Sequence, residues 1–294
     1  MSRYGGATAC VSVQPDADVA PIVLDLGTGC RLLGEELIGR FFPGNQLSGG
    51  VPESEGGSAP GAARAPSAGE PEVTLAAFVT HLHFDHVQGL PFFGPAIRSG
   101  VRLEVHGPRQ DGTSLKEAFA TFVQPPFFPV ELDDLPADLR WHELGDGDEV
   151  KVGQAVVRAR EVPHVGRTLG YRVECDGRAI CYLGDHQAPR GGDGASRGVS
   201  EAVFDLAGDV DVLVHDAQYT DEEFAVKAHW GHSTVGYAVE VARATGARKL
   251  VLFHHDPTHD DDVLDRLGSE AAHLAGSSLD IAVAAEGLEI RLPG

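Results

Sequence analysis

The segment Thr80-His81-Leu82-His83-Phe84-Asp85-His86 constrains this chain more than any other, because it follows directly on the apolar run Val73 to Val79. Strand side chains alternate between faces, so His81 and His83 share one face as the strand ends, and both imidazoles can meet one cation. Gly89 and Pro91 signal that the chain is turning, where Asp85 and His86 can point at a second cation. Four ligands within six residues start a dinuclear site. Imidazole with carboxylate suits zinc, or manganese or iron, rather than calcium or magnesium. A solvated, His-rich turn is the competing reading, and the HxHxDH pattern is rare enough by chance to favour the metal.

The remaining ligands are expected downstream at other strand ends. His164 follows Pro163 after a strand ending at Val162, Asp185 follows the apolar stretch Ala179 to Leu183 through Gly184, and His254 ends the run Leu250 to Phe253. A carboxylate at Asp185 can bridge two cations. The adjacent His255 competes with His254 for the last position.

Short β-branched runs alternate with helical patterns through the whole chain. Strands are predicted at Val11 to Val13, Ile22 to Leu26, Val73 to Thr80, Val101 to His106, Val150 to Val162, Leu169 to Leu183, Val210 to His215, Leu250 to His254 and Ile281 to Leu292. The run from Tyr171 to Leu183 reads as a hairpin around Asp176-Gly177. Helical periodicity marks Arg31 to Phe41, Leu115 to Val123, Glu222 to Lys227, Thr234 to Ala244 and Asp262 to Leu274. Ser114 and Thr220 each precede a Glu by three residues, the spacing of a capping box. Mixed sheets flanked by helices fit this order better than a sandwich or a bundle.

Between Pro43 and Glu72, 16 of 30 residues are Gly, Pro or Ser, which reads as a disordered surface insertion. Its flanks look like neighbours in one domain, so residues 1–294 are expected to form a single domain, with a further loop from Gly191 to Gly198.

Composition narrows the functions open to the chain. The formal charge of −21 repels polyanions, which disfavours nucleic acid as a partner because such affinity comes largely from neutralised phosphates. No run of 18 or more apolar residues is present, so no membrane span is expected, and the start lacks a secretory signal pattern, which places the chain in the cytoplasm. Cys10, Cys30, Cys175 and Cys181 form no CxxC pair and read as free thiols. Gly194-Ala195-Ser196-Arg197-Gly198 fits GxSxG but has no strand before it, and no Walker A or GxGxxG stretch occurs. Gly27 and Gly29 read as a tight strand-to-helix turn that lets Asp25 and the metal loops pack closely.

Taken in order, several motifs resemble the metallo-β-lactamase-fold hydrolases from Arg3 to about His259. They are Tyr4-Gly5-Gly6, Asp25-Leu26-Gly27-Thr28-Gly29, Thr80 to His86 with Gly89-Leu90-Pro91, Pro163-His164, Gly184-Asp185, Gly231-His232-Ser233-Thr234 and Leu252-Phe253-His254. The chain is most similar to the branch holding ribonuclease Z and the cyclic phosphodiesterases, since an Asp takes the bridging position and His232 opens a helix 22 residues before His254. The resemblance implies an α/β fold, an αβ/βα four-layer sandwich with two mixed sheets face to face and the metals where strand-end loops converge. It implies that His81, His83 and His164 hold one metal, Asp85, His86 and His254 the other, and that Asp185 bridges them.

The resemblance also assigns catalytic roles. His232 takes the place of the family's proton donor, and a positioned His is the usual acid at neutral pH. Its competing reading is a helix-entry residue ahead of a helix that Ser233 caps. Asp216 resembles the acidic member of the relay, against a plain strand-end carboxylate, and Asp85 orients the nucleophile while binding metal. His186, His215 and His255 are candidates for the next shell outward, whereas His106, His142, His229, His259 and His273 read as surface or core residues.

The implied activity is hydrolysis of a small phosphodiester, a cyclic phosphate or nucleotide, through a metal-bridging hydroxide. Ribonuclease Z-like cleavage of RNA is the alternative. Relatives of that kind carry a long arm between the ligand His and the bridging Asp, and only 20 residues separate His164 from Asp185 here. Lactone or thioester hydrolysis, and a metal-stabilised nucleotide sensor without turnover, are the other readings. Family members begin with a strand ahead of the YGG segment, yet Met1 lies three residues before Tyr4, so an open sheet edge and a homodimer through it are expected.

Overall fold

The structure, a computed structural model, describes residues 3–16, 19–43, 72–189 and 198–293. The insertion expected between Pro43 and Glu72 lies outside the described residues except at its two ends, and the GxSxG stretch does so except for Gly198.

Five strands form one sheet: β1 (Val11–Val13), β2 (Ile22–Leu24), β3 (Val73–Phe78), β4 (Val101–Pro108) and β5 (Asp138–Leu144), in that order. β1 is antiparallel to β2, and the remaining pairs are parallel. Seven strands form the other: β6 (Glu149–Val152), β7 (Ala155–Glu161), β8 (Leu169–Cys175), β9 (Arg178–Leu183), β10 (Val212–Asp216), β11 (Lys249–Phe253) and β12 (Asp280–Val283). Its first four strands are antiparallel and its last four parallel. The helices are α1 (Cys30–Phe41), α2 (Phe84–Val87), α3 (Leu115–Ala120), α4 (Glu201–Ala207), α5 (Asp221–Lys227), α6 (Val235–Thr245) and α7 (Asp261–Ala275).

Alternation along the central strands explains the layering. On β3 and just beyond it, Leu75, Ala77 and Val79 join Leu37, Phe93 and Phe119 in an outer core under α1 and α3. The intervening Ala76 and Phe78 enter a core shared between the sheets with Tyr171, Tyr182, Val214 and Val251. On β10 and β11, Leu213, Leu250 and Leu252 turn outward to meet α4, α6 and α7. Both faces of these strands are buried, which is why they read as near-continuous apolar runs. The result is the αβ/βα four-layer sandwich. Among the described residues, no helix is long and apolar enough to cross a membrane.

Several element limits differ from those the sequence suggests. The single strand expected over Val150 to Val162 is two, β6 and β7, because Gly153 takes a positive φ of 60° and reverses the chain. The strand expected to run to Leu292 stops at Val283, ahead of a turn at Gly287 with φ 77°. Strand β5, with Arg140, His142 and Glu143 in an edge position, lacks the apolar alternation that would have marked it. Both capping boxes form, at Ser114 on α3 and Thr220 on α5.

Candidate metal centre

The loops that leave the ends of β3, β7, β9, β10 and β11 converge on one edge of the sandwich, the usual place for a site in an open α/β sheet. Their approach is close. Leu26 N–H donates to the His86 carbonyl (2.8 Å) and Gly89 N–H to that of Leu26 (2.8 Å). A Cβ on Gly27 would strike the Asp85 carbonyl oxygen, and one on Gly89 the Gly27 carbonyl oxygen, so only glycine fits either position.

Two clusters result, and Asp185 belongs to both. Its Oδ2 lies 3.5 Å from His81 Nε2 and 3.4 Å from His164 Nε2, while His83 Nδ1 lies 3.2 Å from His164 Nε2. Its Oδ1 lies 3.0 Å from His86 Nε2 and 3.2 Å from His254 Nε2, and Asp85 Oδ2 completes that group at 3.1 Å from His254 Nε2 and 3.4 Å from His86 Nε2. The donor atoms of His81, His83, His164 and Asp185 lie within 4.8 Å of one another, as do those of Asp85, His86 and His254, and those of Asp185, His232 and His254. The carboxylate therefore offers one oxygen to each side.

The donors fit cations better than they fit each other. His81 Nε2 is buried and lacks a hydrogen-bond partner, a costly arrangement for a polar atom left to itself. The outward ring nitrogens, by contrast, are engaged. His81 Nδ1 lies 3.0 Å from Thr80 Oγ1, His86 Nδ1 2.7 Å from Asp25 Oδ2, and His254 Nδ1 3.0 Å from the Gln218 amide. His164 Nδ1 donates to the Gly231 carbonyl (2.6 Å). Such outer contacts orient imidazoles so that the inward nitrogen is free to ligate. The two clusters fit a dinuclear metal site.

Burial and neighbouring charge divide the imidazoles. Burial lowers the pKa of His83 and His164, and burial with the nearby His86 pushes His81 well below the ordinary range. Burial opposes the charge on His86 and His254 as well, but Asp185 and Asp25 hold His86 well above its usual value, and Asp185 and Asp85 raise His254 to about 9. Burial likewise opposes the charge on the two carboxylates. Those imidazoles more than offset it and keep Asp185 and Asp85 well below the carboxylate range.

Beside the clusters, His232 Nδ1 donates to Asp216 Oδ2 (2.9 Å). Asp216 is fully buried and also accepts from the backbone N–H of His186 (3.1 Å) and Gln218 (3.0 Å), so it cannot turn away. The His232 ring stacks on His254 with centroids 5.0 Å apart and meets Tyr219 edge-on. His232 Nδ1 is committed to Asp216, which leaves Nε2 as its free nitrogen. Thr234, not Ser233, caps α6, accepting from Tyr237 N–H, because the Ser233 hydroxyl donates to the His186 carbonyl.

All seven expected ligands and the three expected catalytic residues converge here. His254 does so through a left-handed backbone (φ 58°) that turns its ring inward, whereas His255 Nε2 donates to the Ala284 carbonyl (3.0 Å) and stands away. His186 and His215 pair behind Asp216 at 2.9 Å. His106 stacks on Phe78 and His142 on His106, and His259 bonds to Glu223, all outside the clusters. Sequence reasoning gave Asp25 a packing role only. In fact its carboxylate accepts from Thr80 N–H (2.7 Å), Tyr182 O–H (2.8 Å) and His86, and the left-handed φ of 62° that aims it is the one local sign of a special role. Gln218 carried no sequence signal.

A four-layer sandwich with paired His/Asp clusters where its strand-end loops converge defines a metal-dependent hydrolase of the metallo-β-lactamase fold. Residues 58–255 match the family described as Beta-lactamase superfamily domain, and the chain belongs to it. Its sequence relatives lie in the ribonuclease Z and BN branch. It is 29% identical to ribonuclease Z of Myxococcus xanthus over 260 residues, covering 74% of this chain and 81% of that protein. It is 27% identical to ribonuclease BN of Cronobacter sakazakii over 255 residues, covering 70% and 81%. Among solved structures, the metallo-beta-lactamase fold protein YhfI from Bacillus subtilis superimposes with a TM-score of 0.62 at 17% identity, covering 97% of this chain and 95% of that one. Human tRNase Z, short form, superimposes with 0.60 at 21% identity, covering 97% and 93%.

Proposed function

We propose that the protein hydrolyses small phosphodiesters, of the cyclic phosphate or nucleotide class. The observation that carries this reading is the placing of a carboxylate-backed imidazole, His232 on Asp216, beside two clusters that share Asp185. In this reading His81, His83, His164 and Asp185 hold one cation, and Asp85, His86, His254 and Asp185 hold the other. Zinc suits such donors, with manganese or iron as the other choices. When bound, the two cations supply Lewis acidity, lowering the pKa of water and neutralising phosphoryl oxygens.

The chain's own groups do the rest. Asp85, whose side chain is 38% exposed, reaches the opening and orients the attacking water. Asp216 accepts from Nδ1–H and so orients the His232 ring; as the imidazolium, His232 gives its Nε2 proton to the leaving oxygen as the ester bond breaks and is left neutral with Nδ1–H still on Asp216. Ribonuclease relatives point to phosphodiester chemistry. A small substrate is favoured over RNA because the span from His164 to Asp185 is taken up by the β8–β9 hairpin and its connections, with no projecting arm, and because the charge of −21 opposes a polyanion.

Turnover of bis(p-nitrophenyl) phosphate, lost with chelator and restored by zinc or manganese, is the expected result. A panel of 2′,3′-, 3′,5′- and 1,2-cyclic phosphates then ranks substrates. A protein that is active without any transition metal, or that opens lactones or thioesters while leaving every diester intact, would overturn the reading.

A further inference from the structure

The chain segment that supplies ligands to both clusters carries an aromatic ring that the hydrolytic chemistry does not use. Phe84 stands between His83 of one cluster and Asp85 of the other, and its side chain is 60% exposed. Its ring is held in place. It meets Phe122 edge to face with centroids 5.6 Å apart, and Phe122 in turn leans on Phe119, which is fully buried in the outer core. The same chain segment reaches a second exposed ring, where Phe128 meets Phe92 at 6.0 Å and 90°. Phe92 is 59% exposed and Phe127 77%.

Phe84 thus presents an anchored, exposed ring beside ligand-bearing residues of both clusters, a placement suited to contact with a bound molecule. The occupant follows from position and charge. Phe84 joins His83 of one cluster to Asp85 of the other, so its exposed ring belongs to a residue next in the chain to a ligand of each. A surface of net charge −21 gives an anion little long-range attraction, which leaves the uncharged, planar part of a substrate as the source of extra affinity. Base stacking on an aromatic side chain supplies such affinity for any base, because every base has a π-face.

We propose that Phe84, backed by Phe122, is a shelf on which the nucleobase of a phosphodiester substrate stacks, so that the site selects nucleotide diesters over diesters without a base. This rests on the phosphodiester reading above. A matched pair tests it: 2′,3′-cyclic AMP against the same cyclic phosphate of methyl riboside, which lacks the base. The wild type is expected to favour the nucleotide about tenfold or more in kcat/KM, within the range one stacked base provides. Phe84→Ala should collapse that preference through a rise in KM for the nucleotide, and Phe84→Trp should keep it. Metal content measured on each variant shows whether His83 and Asp85 remain in place.

Equal kcat/KM for the two substrates in the wild type, or a preference that survives Phe84→Ala, overturns the shelf. So does a dimer that Phe127→Ala or Phe92→Ala dissociates while Phe84→Ala leaves selectivity intact, which would assign the rings to contact between copies. Should neither of these two diesters be hydrolysed, the phosphodiester reading is judged by the wider panel above. Calorimetric binding of AMP against ribose 5-phosphate then decides the shelf separately, since loss of AMP affinity alone in Phe84→Ala sustains it and equal binding overturns it.

Discussion

The two clusters at the metal centre share a carboxylate yet differ in how they hold protons. His81, His83 and His164 share the carboxylate of Asp185, with Asp85 acting on His83 as well, and burial still keeps all three imidazoles below their ordinary pKa. His86 and His254 face Asp85 and Asp185, with Asp25 behind His86, and the added negative charge outweighs burial. The first group is therefore ready to accept a cation without giving up a proton, while the second must release protons first. The ratio of carboxylates to imidazoles, more than depth, sets the difference.

The largest effect should come from removing what the clusters share. Asp185→Asn leaves both groups short of a charged oxygen, so bound metal should fall towards zero and diester turnover by at least about a thousandfold, read by metal analysis and steady-state kinetics. A variant that keeps two metals would show that the bridge is dispensable. His232→Gln should instead keep both metals and lower kcat by roughly a hundred- to ten-thousandfold, the usual worth of a positioned acid. Loss of metal in that variant would place His232 among the ligands.

Asp25→Asn sharpens the contrast between the clusters, because Asp25 backs His86 alone among the expected ligands through a direct bond. It is expected to weaken the second equivalent of zinc by about ten- to a hundredfold and leave the first nearly unchanged in a calorimetric titration. Equal weakening of both would erase the distinction.

The smallest effect is on pH dependence. His254 titrates near 9 in the folded, metal-free chain against an ordinary value of 6.5. Its protonated contact with Asp85 and Asp185 thus stabilises that form fully below pH 6.5 and is lost as pH rises through 9. The melting temperature of metal-free protein should fall modestly between those limits, and the second zinc should bind more tightly with rising pH over the same window. A flat profile in both would contradict the assignment.

Much of the candidate site was legible because it is written in short patterns. HxHxDH after an apolar run, Pro163-His164, Gly184-Asp185 and Leu252-Phe253-His254 each place a ligand type at a strand end. The paired sheets were legible from apolar runs bounded by turns. Edge strand β5 was not, because a strand with exposed, charged residues carries no burial pattern to read. The choice of His254 over His255 rests on a left-handed backbone that no local spacing announces.

By itself, the sequence determined which groups stand at strand ends and that their chemistry suits transition metals, since side-chain type and strand period are local properties. Only the tertiary structure decided that Asp185 divides its oxygens between two clusters, that Asp25 and Gln218 brace His86 and His254, and that burial lowers the pKa of His81, His83 and His164 while carboxylates raise that of His86 and His254. Those outcomes depend on distances between residues far apart in the chain, and both hydrogen bonds and Coulomb energies are set by such distances.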